Sequence, residues 1–392
     1  MSPRVLILDA NQRSALAATR SLGALGADVF TADTTVQTLA GTSKFSSASL
    51  LYPNPAETPL EFLSAISSMT RQHSIDIVMP MTDLSTMLLV QCPEPLPSSV
   101  KLACAPAAAY EALTVKSDLI ERAKQLGIPT PTTTTIRTRE DLREFSLEQK
   151  FPFVLKPSRS RYFHDGRIYA TQVSIIPSPR ELDAIVNSSD WLDHIPGMLQ
   201  QFIPGTGAGI FALGDGEKVV AWFAHRRLRE KPPSGGVSVL CQSMAADPLI
   251  KDYSARLLQS TNWFGPAMVE YRIAPDGTPY LMEVNGRFWG SLQLSIDSGM
   301  DFPKLLVQLL NGIKLPQSES YVLGRRLRWL LGDIDNLLLQ FKNGPLTDGS
   351  RIKAIGDFLW TFFDRASRQE IFRWSDARPA IYEMRQWFRA LR

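Results

Sequence analysis

The N-terminal part of the chain alternates apolar runs with helical stretches, and this alternation constrains the fold more than any other feature. Residues 4–9 read RVLILD, a run that suits a buried parallel strand, and residues 13–22 have helical spacing with Gly23 as the expected stop. A second strand, ADVFTAD, follows, and IDIVMP comes after a helical stretch at 59–72. The order predicts a doubly wound α/β domain with a parallel sheet, ending near residue 110.

The loop after the first predicted strand excludes one common use of such a domain. It reads DANQRS and lacks the glycines of GxGxxG. Without those glycines a dinucleotide pyrophosphate cannot approach the backbone, so a nicotinamide or flavin site is not expected here.

Size and composition narrow the function classes further. The chain has 392 residues, of which 44% are hydrophobic, enough for two or three domains with sizeable cores. A net charge of +3 without a basic run argues against a nucleic-acid partner. The absence of an apolar run of about 18 residues predicts no transmembrane segment and a cytoplasmic protein. Cys92, Cys104 and Cys241 lie outside any CxxC spacing, so neither a disulfide framework nor a zinc site is indicated.

The middle of the chain has the pattern of an α+β fold. One helix is predicted from about Ala112 to Gly127, and the strand FPFVLKP follows at 151–157. The segments LGDGEKVV and APDGTPY predict two hairpins, because Asp-Gly favours tight turns. After the helix DFPKLLVQLLNG, aromatic and arginine-bearing helical stretches predict a C-terminal helical extension from 321 to 392.

The hairpin VEYRIAPDGTPYLMEVNGR, residues 269–287, carries the candidate chemistry. If Asp276 and Gly277 are the two central turn residues, Glu270 lies opposite Glu283. Strand alternation then divides the side chains between two faces. The expected core face holds Val269, Tyr271, Ile273, Tyr280, Met282 and Val284, and the other face holds Glu270, Arg272, Glu283 and Asn285.

Two carboxylates that face each other repel unless a cation lies between them. Oxygen ligands from Glu270, Glu283 and Asn285 suit a hard divalent ion, Mg²⁺ or Mn²⁺, which keeps positions for phosphate oxygens. Arg287 would then reach a phosphate or a carboxylate. The alternative is a solvent-facing hairpin in which the two glutamates pair with Arg272 and Arg287.

These segments resemble the ATP-grasp superfamily of ligases. EVNGR, with a glutamate across a DG hairpin, resembles its metal-binding segment. KSDLIERAKQLGIPTP resembles the opening of its module, VLKP its phosphate-binding lysine strand, and LQQFIPG its adenine linker. The resemblance implies a pre-ATP-grasp domain at 1–110, an ATP-grasp module of two α+β subdomains at 111–320, and a C-terminal extension at 321–392.

The resemblance also implies the site. By analogy Glu270, Glu283 and Asn285 hold Mg²⁺ between the phosphates of ATP, and Arg287 steadies the transferred phosphoryl group or the acyl phosphate. The residues expected to bind ATP are Lys116, Lys156, Ser158, Gln200, Gln201 and Ile203.

Two departures from the family pattern are visible. The phosphate-covering loop, usually rich in glycine, is SRSRYFHDG here, with Gly166 as its single glycine. Two interpretations stay open: a less flexible lid that contacts phosphate through Ser158, Ser160 and arginine side chains, or a slow or altered enzyme. The acidic ribose ligand expected after the linker is missing from GTGAGIFALG. The glycines of that segment are interpreted as accommodation of the backbone.

The stretch HRRLREKPPSGG is the second candidate for chemistry. Its basic side chains predict that Arg226, Arg227 or Arg229 faces an acidic substrate or the γ-phosphate, and Arg227 is the preferred candidate. Alternation places Arg227 and Arg229 on one face. A solvated basic strand is the alternative. His225 is a possible base or a structural residue.

The segment FWGSLQLSID follows the metal-binding segment and is expected to wall the acceptor pocket. Trp289 and Ser291 are the expected contacts with the acceptor, or packing residues of a helix.

The sequence therefore predicts an ATP-dependent carboxylate-amine ligase that forms an amide through an acyl phosphate and releases ADP and phosphate. Its partners would be small carboxylate and amine substrates. The alternative is an ATP-binding module with little or no ligase activity, acting in regulation or as a partner-binding subunit. The aromatic, basic tail at 351–392 predicts either contact with a membrane surface or a partner protein, or packing on the module. The resemblance also suggests a homodimer.

Overall fold

The computed structural model describes residues 2–91, 96–146, 150–233, 235–343 and 348–391. Cys92 and Ser234 lie outside the described residues. The structure confirms an α/β and α+β fold with a parallel N-terminal sheet and C-terminal helices. The expected domain ends at 110 and 320 stay predictions.

The N-terminal sheet is parallel and has the order β3-β2-β1-β4-β5, with helices between its strands, as predicted. Its elements are β1 (Arg4–Ile7), α1 (Arg13–Ala24), β2 (Asp28–Asp33), β3 (Ala48–Leu51), α2 (Pro59–Gln72), β4 (Ile77–Met79), α3 (Asp83–Val90) and β5 (Lys101–Leu102). Helix α1 continues through Gly23, and the first positive φ after the helix is at Gly26. Gly23 serves close packing instead, because a Cβ there would lie 2.7 Å from Phe45 Cβ.

Two helices, α4 (Ala107–Thr114) and α5 (Lys116–Gln125), lead into the middle of the chain. The prediction of one helix over 112–127 was wrong, because Val115 between them is extended (φ −76°, ψ 112°). Lys116 consequently begins a helix, and its backbone N–H donates to Ser158 O at 2.9 Å.

A four-stranded antiparallel sheet follows, in the order β10-β7-β11-β6, and packs on two helices. Its elements are β6 (Thr133–Ile136), α6 (Arg139–Ser146), β7 (Phe153–Pro157), β10 (Ser174–Ile176), α7 (Pro179–Asn187) and β11 (Gly197–Gln201). Between β7 and β10 a separate hairpin is formed by β8 (Arg161–His164) and β9 (Arg167–Ala170). We call this hairpin, Arg161–Ala170, the flap.

The largest sheet has seven strands in the order β16-β15-β12-β13-β14-β17-β18. Its strands and flanking helices are β12 (Thr206–Asp215), β13 (Val219–Lys231), β14 (Val237–Met244), α8 (Pro248–Gln259), β15 (Phe264–Ile273), β16 (Pro279–Asn285), α9 (Leu292–Asp297) and α10 (Phe302–Leu310). The hairpins predicted at LGDGEKVV and APDGTPY are both present.

The C-terminal extension contains more than helices. Its elements are β17 (Arg326–Arg328), α11 (Leu330–Asn343), α12 (Asp348–Phe363), β18 (Ser367–Gln369) and α13 (Arg378–Ala390), and the two strands complete the large sheet. Arg20 of α1 donates to Asp376 at 2.9 Å, which ties the extension to the N-terminal domain.

One hydrophobic core joins these parts. It runs from Val5 and Ile7 of β1 through Phe211 and Phe223 of the large sheet to Ile371 of the extension. Among the described residues, no helix is long and apolar enough to cross a bilayer. The N-terminal domain, the large sheet and the extension therefore meet around a shared interior, and the candidate site lies along their junction.

Candidate functional site

The facing glutamates of the β15–β16 hairpin are confirmed. Glu270 pairs with Glu283, and Met268 with Asn285. The turn, however, is not the predicted two-residue turn, because Ala274 N donates to Thr278 O and leaves Pro275, Asp276 and Gly277 in the loop. A bulge at Met282 then shifts the register between Glu270 and Tyr271, which restores the pairing of the glutamates.

The bulge also corrects the predicted core face of β16. Leu281 is fully buried, whereas Tyr280 and Met282 are only partly buried, contrary to the expected alternation. Val269, Tyr271 and Val284 are buried as predicted. A bulge places two consecutive residues against one partner, so simple alternation fails on one side of it.

The side-chain amide of Asn285 hydrogen-bonds to both carboxylates. Asn285 Nδ2 donates to Glu270 Oε1 and to Glu283 Oε1, both at 3.2 Å, and Arg287 Nη2 lies 3.4 Å from Asn285 Oδ1. The position between Asn285 and Arg287 is occupied by Gly286, and a larger residue would clash there, because a Cβ would lie 2.9 Å from the rings of Trp263 and Tyr110. Burial, and then the charge of Glu283, raise the pKa of Glu270 to about 7. Negative charge is thus concentrated at this point.

The alternative predicted from the sequence, in which Glu270 and Glu283 pair with Arg272 and Arg287, is not observed. Glu270 contacts Arg227 Nη2 at 3.5 Å, while Arg272 lies over the ring of Phe202 at 5.7 Å. Arg287 contacts Asp83 Oδ2 at 3.2 Å. Burial opposes its charge, but Asp83, Glu283 and Glu270 raise the pKa of the Arg287 guanidinium.

Of the three arginines on β13, only Arg227 reaches the glutamates. Arg226 hydrogen-bonds with Gln242, and Arg229 makes two bonds of 2.7 Å to Asp333 of α11. The expectation that Arg227 and Arg229 share one face is wrong, because the β13–β14 register shifts between them. Arg226 and Arg229 are therefore engaged elsewhere.

The two lysines lie near the glutamates from the other side. Lys116 is buried, and its Nζ donates to Ser160 Oγ at 2.8 Å. Burial lowers the pKa of Lys116 and of Lys156, whereas the charge of Glu283 raises both. Among the described residues, Lys156 Nζ has no hydrogen bond or ion pair, so this ammonium is available to an anion.

The flap lies over this region and contacts the N-terminal domain. Ile168 N donates to Ala56 O at 2.8 Å, and Tyr162 stacks on Tyr169 with 5.5 Å between ring centroids. Ser158 directly follows β7 and is buried, while Ser160 already accepts the bond from Lys116. Aromatic stacking and a backbone contact thus order a hairpin that has one glycine.

The linker residues lie at the end of β11. Gln200 is buried, and its Nε2 donates to Thr133 Oγ1 at 3.0 Å. Gln201 is exposed, and its N–H donates to Thr132 O at 2.9 Å. Ile203 is buried directly after the strand. The side chain of Gln200 is thus already bonded within the protein, and binding of adenine by this linker stays a prediction.

His225 is buried, and its surroundings favour the neutral imidazole. Burial, and then Arg227, lower its pKa to about 3, and its Nε2 lies 2.8 Å from Ser291 Oγ. Trp289 is buried against Phe211 at 4.2 Å between ring centroids, and its Nε1 has no partner among the described residues. Ser291 and Trp289 line a cavity of about 300 Å³ with Arg227.

A larger cavity of about 600 Å³ adjoins it and contains residues that sequence reasoning missed. Those residues are Arg13, Asp83, Trp329 and Glu383. Asp83 carried a usable signal, since it follows a parallel strand at the edge where ligands bind. Its loop is fixed by Asp9, which accepts from the backbone N–H of Met81 and of Thr82, both at 2.9 Å. The others come from distant segments without a motif.

Glu270, Glu283 and Asn285 supply the type of side-chain oxygen that a divalent ion binds. Two carboxylates are hard oxygen ligands, and Asn285 adds an amide oxygen when its amide, whose nitrogen faces the carboxylates here, is turned over. A cation between the carboxylates would offset the repulsion that, after burial, raises the pKa of Glu270. Glu270, Glu283 and Asn285 therefore fit a magnesium or manganese ion.

Comparison with known proteins gives the following. A family model described as "ATP-grasp in the biosynthetic pathway with Ter operon" matches residues 195–330. Biotin carboxylase from Campylobacter jejuni, as its complex with β-γ-ATP, is similar at a TM-score of 0.65 and 16% identity, over 82% of this chain and 74% of that one.

Two other solved structures are similar. The biotin carboxylase domain of the Hydrogenobacter thermophilus 2-oxoglutarate carboxylase, with MgADP, ADP and bicarbonate, gives a TM-score of 0.63 at 17% identity, over 83% of this chain and 73% of that one. L-amino acid ligase from Bacillus licheniformis gives 0.60 at 18% identity, over 79% of this chain and 74% of that one.

Proposed function

This chain has the ATP-grasp fold, and we propose that it is an ATP-dependent ligase that joins a small carboxylate to an amine. The carboxylate would take the γ-phosphoryl group of ATP, giving an acyl phosphate and ADP. The amine nitrogen would then attack the acyl carbon, and the bond from that carbon to the phosphate oxygen would break, leaving an amide, phosphate and a proton.

The observation that carries this proposal is the pairing of Glu270 with Glu283 beside Lys116 and Lys156. Facing carboxylates next to the buried Lys116 and the partly buried Lys156 would suit a metal ion and a polyphosphate, whereas they would destabilise a core without such a ligand. Mg²⁺ held by Glu270, Glu283 and Asn285 would neutralise the charge of the phosphates when bound. Magnesium nucleotide in the Hydrogenobacter structure agrees with this choice.

The chain's own residues have distinct parts. Lys116 and Lys156 would bind phosphate oxygens as point charges, with Ser158, which directly follows β7, close to Lys116. Arg287 and Arg227 flank Glu270 and would orient the carboxylate and the acyl phosphate. The flap, docked on Ala56, would exclude water from the acyl phosphate. Positioning and charge neutralisation thus account for more of the catalysis than proton transfer does.

Hydroxylamine trapping tests the proposal. The purified protein is incubated with ATP, Mg²⁺, hydroxylamine and a panel of amino acids and other small carboxylates, and hydroxamate and ADP are measured. We expect carboxylate-dependent hydroxamate and ADP from the wild type, and a fall of at least about 100-fold in Glu283→Gln. Glu217→Gln, an exposed carboxylate in the β12–β13 turn, is the matched control. Equal turnover in Glu283→Gln and the control would refute the role of the glutamates.

A second function has an observation in its favour. The flap has one glycine and is held by aromatic stacking, and the segment after the linker has no acidic residue for a ribose. A nucleotide-binding protein with little ligase activity, acting in regulation or with a partner, would have these features. Calorimetry that shows ATP binding, with no ADP or hydroxamate formed from any carboxylate, would favour this function. Cytoplasmic location and a homodimer stay predictions.

A further inference from the structure

The larger cavity, of about 600 Å³, has one wall that the C-terminal extension supplies. Trp329 follows β17, and Tyr382, Glu383 and Gln386 lie on α13. Arg287 forms another wall, at the exit of the metal-binding hairpin. A volume of this size holds a molecule of amino-acid or dipeptide size. The acceptor for the acyl group would therefore lie between Arg287 and the extension.

Glu383 is the unmatched charge in this wall. Its Oε1 accepts a hydrogen bond of 2.6 Å from Trp329 Nε1. Arg13, whose charge acts on Glu383, is paired with Glu370 and lies 4.2 Å from the centroid of the Trp329 ring. Within the described part of the chain, Oε2 of Glu383 has no hydrogen bond or ion pair. A half-buried carboxylate that lines a cavity and has one oxygen without a protein partner there favours a cationic ligand.

The groups around Glu383 set its charge. Burial is the main cause that raises its pKa to about 7, and Glu370 and Asp335 of α11 raise it further. The bond from Trp329 and the charge of Arg13 act in the opposite direction. Lys231 of β13 lies 5.5 Å from the centroid of the Trp329 ring but is paired with Asp335. A carboxylate of this pKa takes and releases a proton near neutral pH.

We propose, on the basis of the proposed function, that Glu383 binds the ammonium group of the acceptor and removes its proton. An alkylammonium group is protonated at neutral pH and has no lone pair for attack. One N–H proton passes to Glu383 Oε2, and the freed lone pair attacks the acyl carbon, whose bond to the phosphate oxygen breaks with the electron pair leaving on phosphate. The nitrogen then loses its second proton to the departing phosphate, which leaves the amide, and Glu383 returns its proton to solvent. The C-terminal extension thus completes the acceptor site and selects a small primary amine.

Comparing two acceptors tests this role. Hydroxylamine is largely unprotonated at pH 7.5 and needs no base, whereas an amino acid or alkylamine does. In Glu383→Gln, whose side-chain oxygen still accepts from Trp329, we expect kcat/KM for the amine to fall by about 10²- to 10⁴-fold, while hydroxamate formation falls less than about threefold. Glu217→Gln serves as the control carboxylate.

The pH profile adds a readout that a structural role would not change. In the wild type, kcat/KM for the amine should rise through about pH 7 and then level off below the pKa of the amine. In Glu383→Gln it should rise about tenfold per pH unit up to the pKa of the amine, because only free amine reacts. Trp329→Phe removes a bond that lowers the pKa of Glu383, so its rise should move to higher pH.

The outcomes separate the two proposals. Hydroxamate formed at the wild-type rate together with an unchanged amine profile in Glu383→Gln would overturn the role of Glu383 and leave the ligase intact. Equal losses with both acceptors would also overturn it, since Glu383 would then support the fold or the first step. No hydroxamate from the wild type with any carboxylate would overturn the ligase and this inference together. If Glu383→Gln does not fold, an unshifted profile in Trp329→Phe decides against it.

Discussion

Glu270 and Glu283 lie directly opposite each other, although the register of their hairpin changes by one residue between this pair and the turn. The three-residue turn alone would place Glu270 opposite Met282. The bulge at Met282 corrects this and leaves Leu281 in the core. Bulges recur beside functional sites because they redirect a side chain without breaking the sheet. Here the bulge brings two carboxylates together where an unadjusted hairpin would keep them apart.

Glu270→Gln should stabilise the metal-free protein in a pH-dependent way. Burial and Glu283 hold the pKa of Glu270 at about 7, above its ordinary value of 4.5. The folded state therefore binds this proton more tightly, and stability from this group is lost as pH rises from about 4.5 to 7. Relative to the wild type we expect about 1 to 3 kcal/mol of added stability at pH 8 and little at pH 4.5. Urea unfolding in EDTA at both pH values measures the difference in unfolding free energy between Glu270→Gln and the wild type. A difference that does not depend on pH would contradict the account.

Lys156→Met should separate stability from nucleotide binding. Burial lowers the pKa of this ammonium, and no acidic partner within the described residues forms an ion pair with it. Removing the charge should leave thermal stability equal or higher without nucleotide. ATP affinity by calorimetry should fall about 10- to 100-fold, since a charged hydrogen bond is worth about 1.5 to 3 kcal/mol. Lys218→Met, in the exposed β12–β13 turn, is the control. Unchanged affinity in Lys156→Met would remove this lysine from the site.

Arg227 and Arg229 should behave in opposite ways. Arg229 pairs with Asp333, whose side chain is 1% exposed and also binds the buried Arg328. Arg229→Ala should therefore cost about 3 kcal/mol of unfolding free energy. Arg227→Ala should change stability by less than about 1 kcal/mol and reduce hydroxamate formation at least about tenfold. Chemical denaturation and the trapping assay on both variants compare them. The reverse pattern would mean that Arg229 and not Arg227 serves the substrate.

The sequence predicted the parts of the site that local rules determine. The parallel N-terminal sheet followed from apolar runs, and the facing of Glu270 and Glu283 followed from turn chemistry and alternation. The predicted two-residue turn was wrong, but the predicted pair is right. The third turn residue and the bulge at Met282 each shift the register by one residue, and the two shifts cancel. No local pattern distinguishes a two-residue Asp-Gly turn from a three-residue turn with a later bulge.

Other features depend on contacts between distant segments, which a single sequence does not encode. The sequence does not distinguish Arg229 from Arg227, because the partner of Arg229, Asp333, lies on the distant helix α11. It also does not distinguish Glu383 from other helical glutamates, because its contact with Trp329 is formed only in the fold. Lys116 was found through the resemblance, but its place at the start of a separate helix depends on the break at Val115. The cavity walls come from segments more than 300 residues apart, such as Arg13 and Glu383. Tertiary packing decides such positions.

The tail should adsorb to a membrane surface through α12. Its exposed large apolar side chains recur at helical spacing on one face, and they are Ile352, Ile355, Leu359, Trp360, Phe362 and Phe363. Trp360 and Phe363 expose 69% and 77% of their surface, and Trp374 beyond the helix exposes 92%. Co-sedimentation with phosphatidylglycerol vesicles should therefore occur in the wild type and be lost in Trp360→Ser/Phe363→Ser. Equal behaviour of the two proteins would limit the extension to packing on the module.

The most direct test of the facing glutamates is manganese binding followed by electron paramagnetic resonance. In the presence of ADP, the wild type and the Glu217→Gln control should bind one Mn²⁺ per chain at the β15–β16 hairpin. Glu283→Gln should bind it at least about tenfold more weakly, because one carboxylate ligand is gone. Mn²⁺ bound to the ADP complex of Glu283→Gln as tightly as to the wild type would contradict the account.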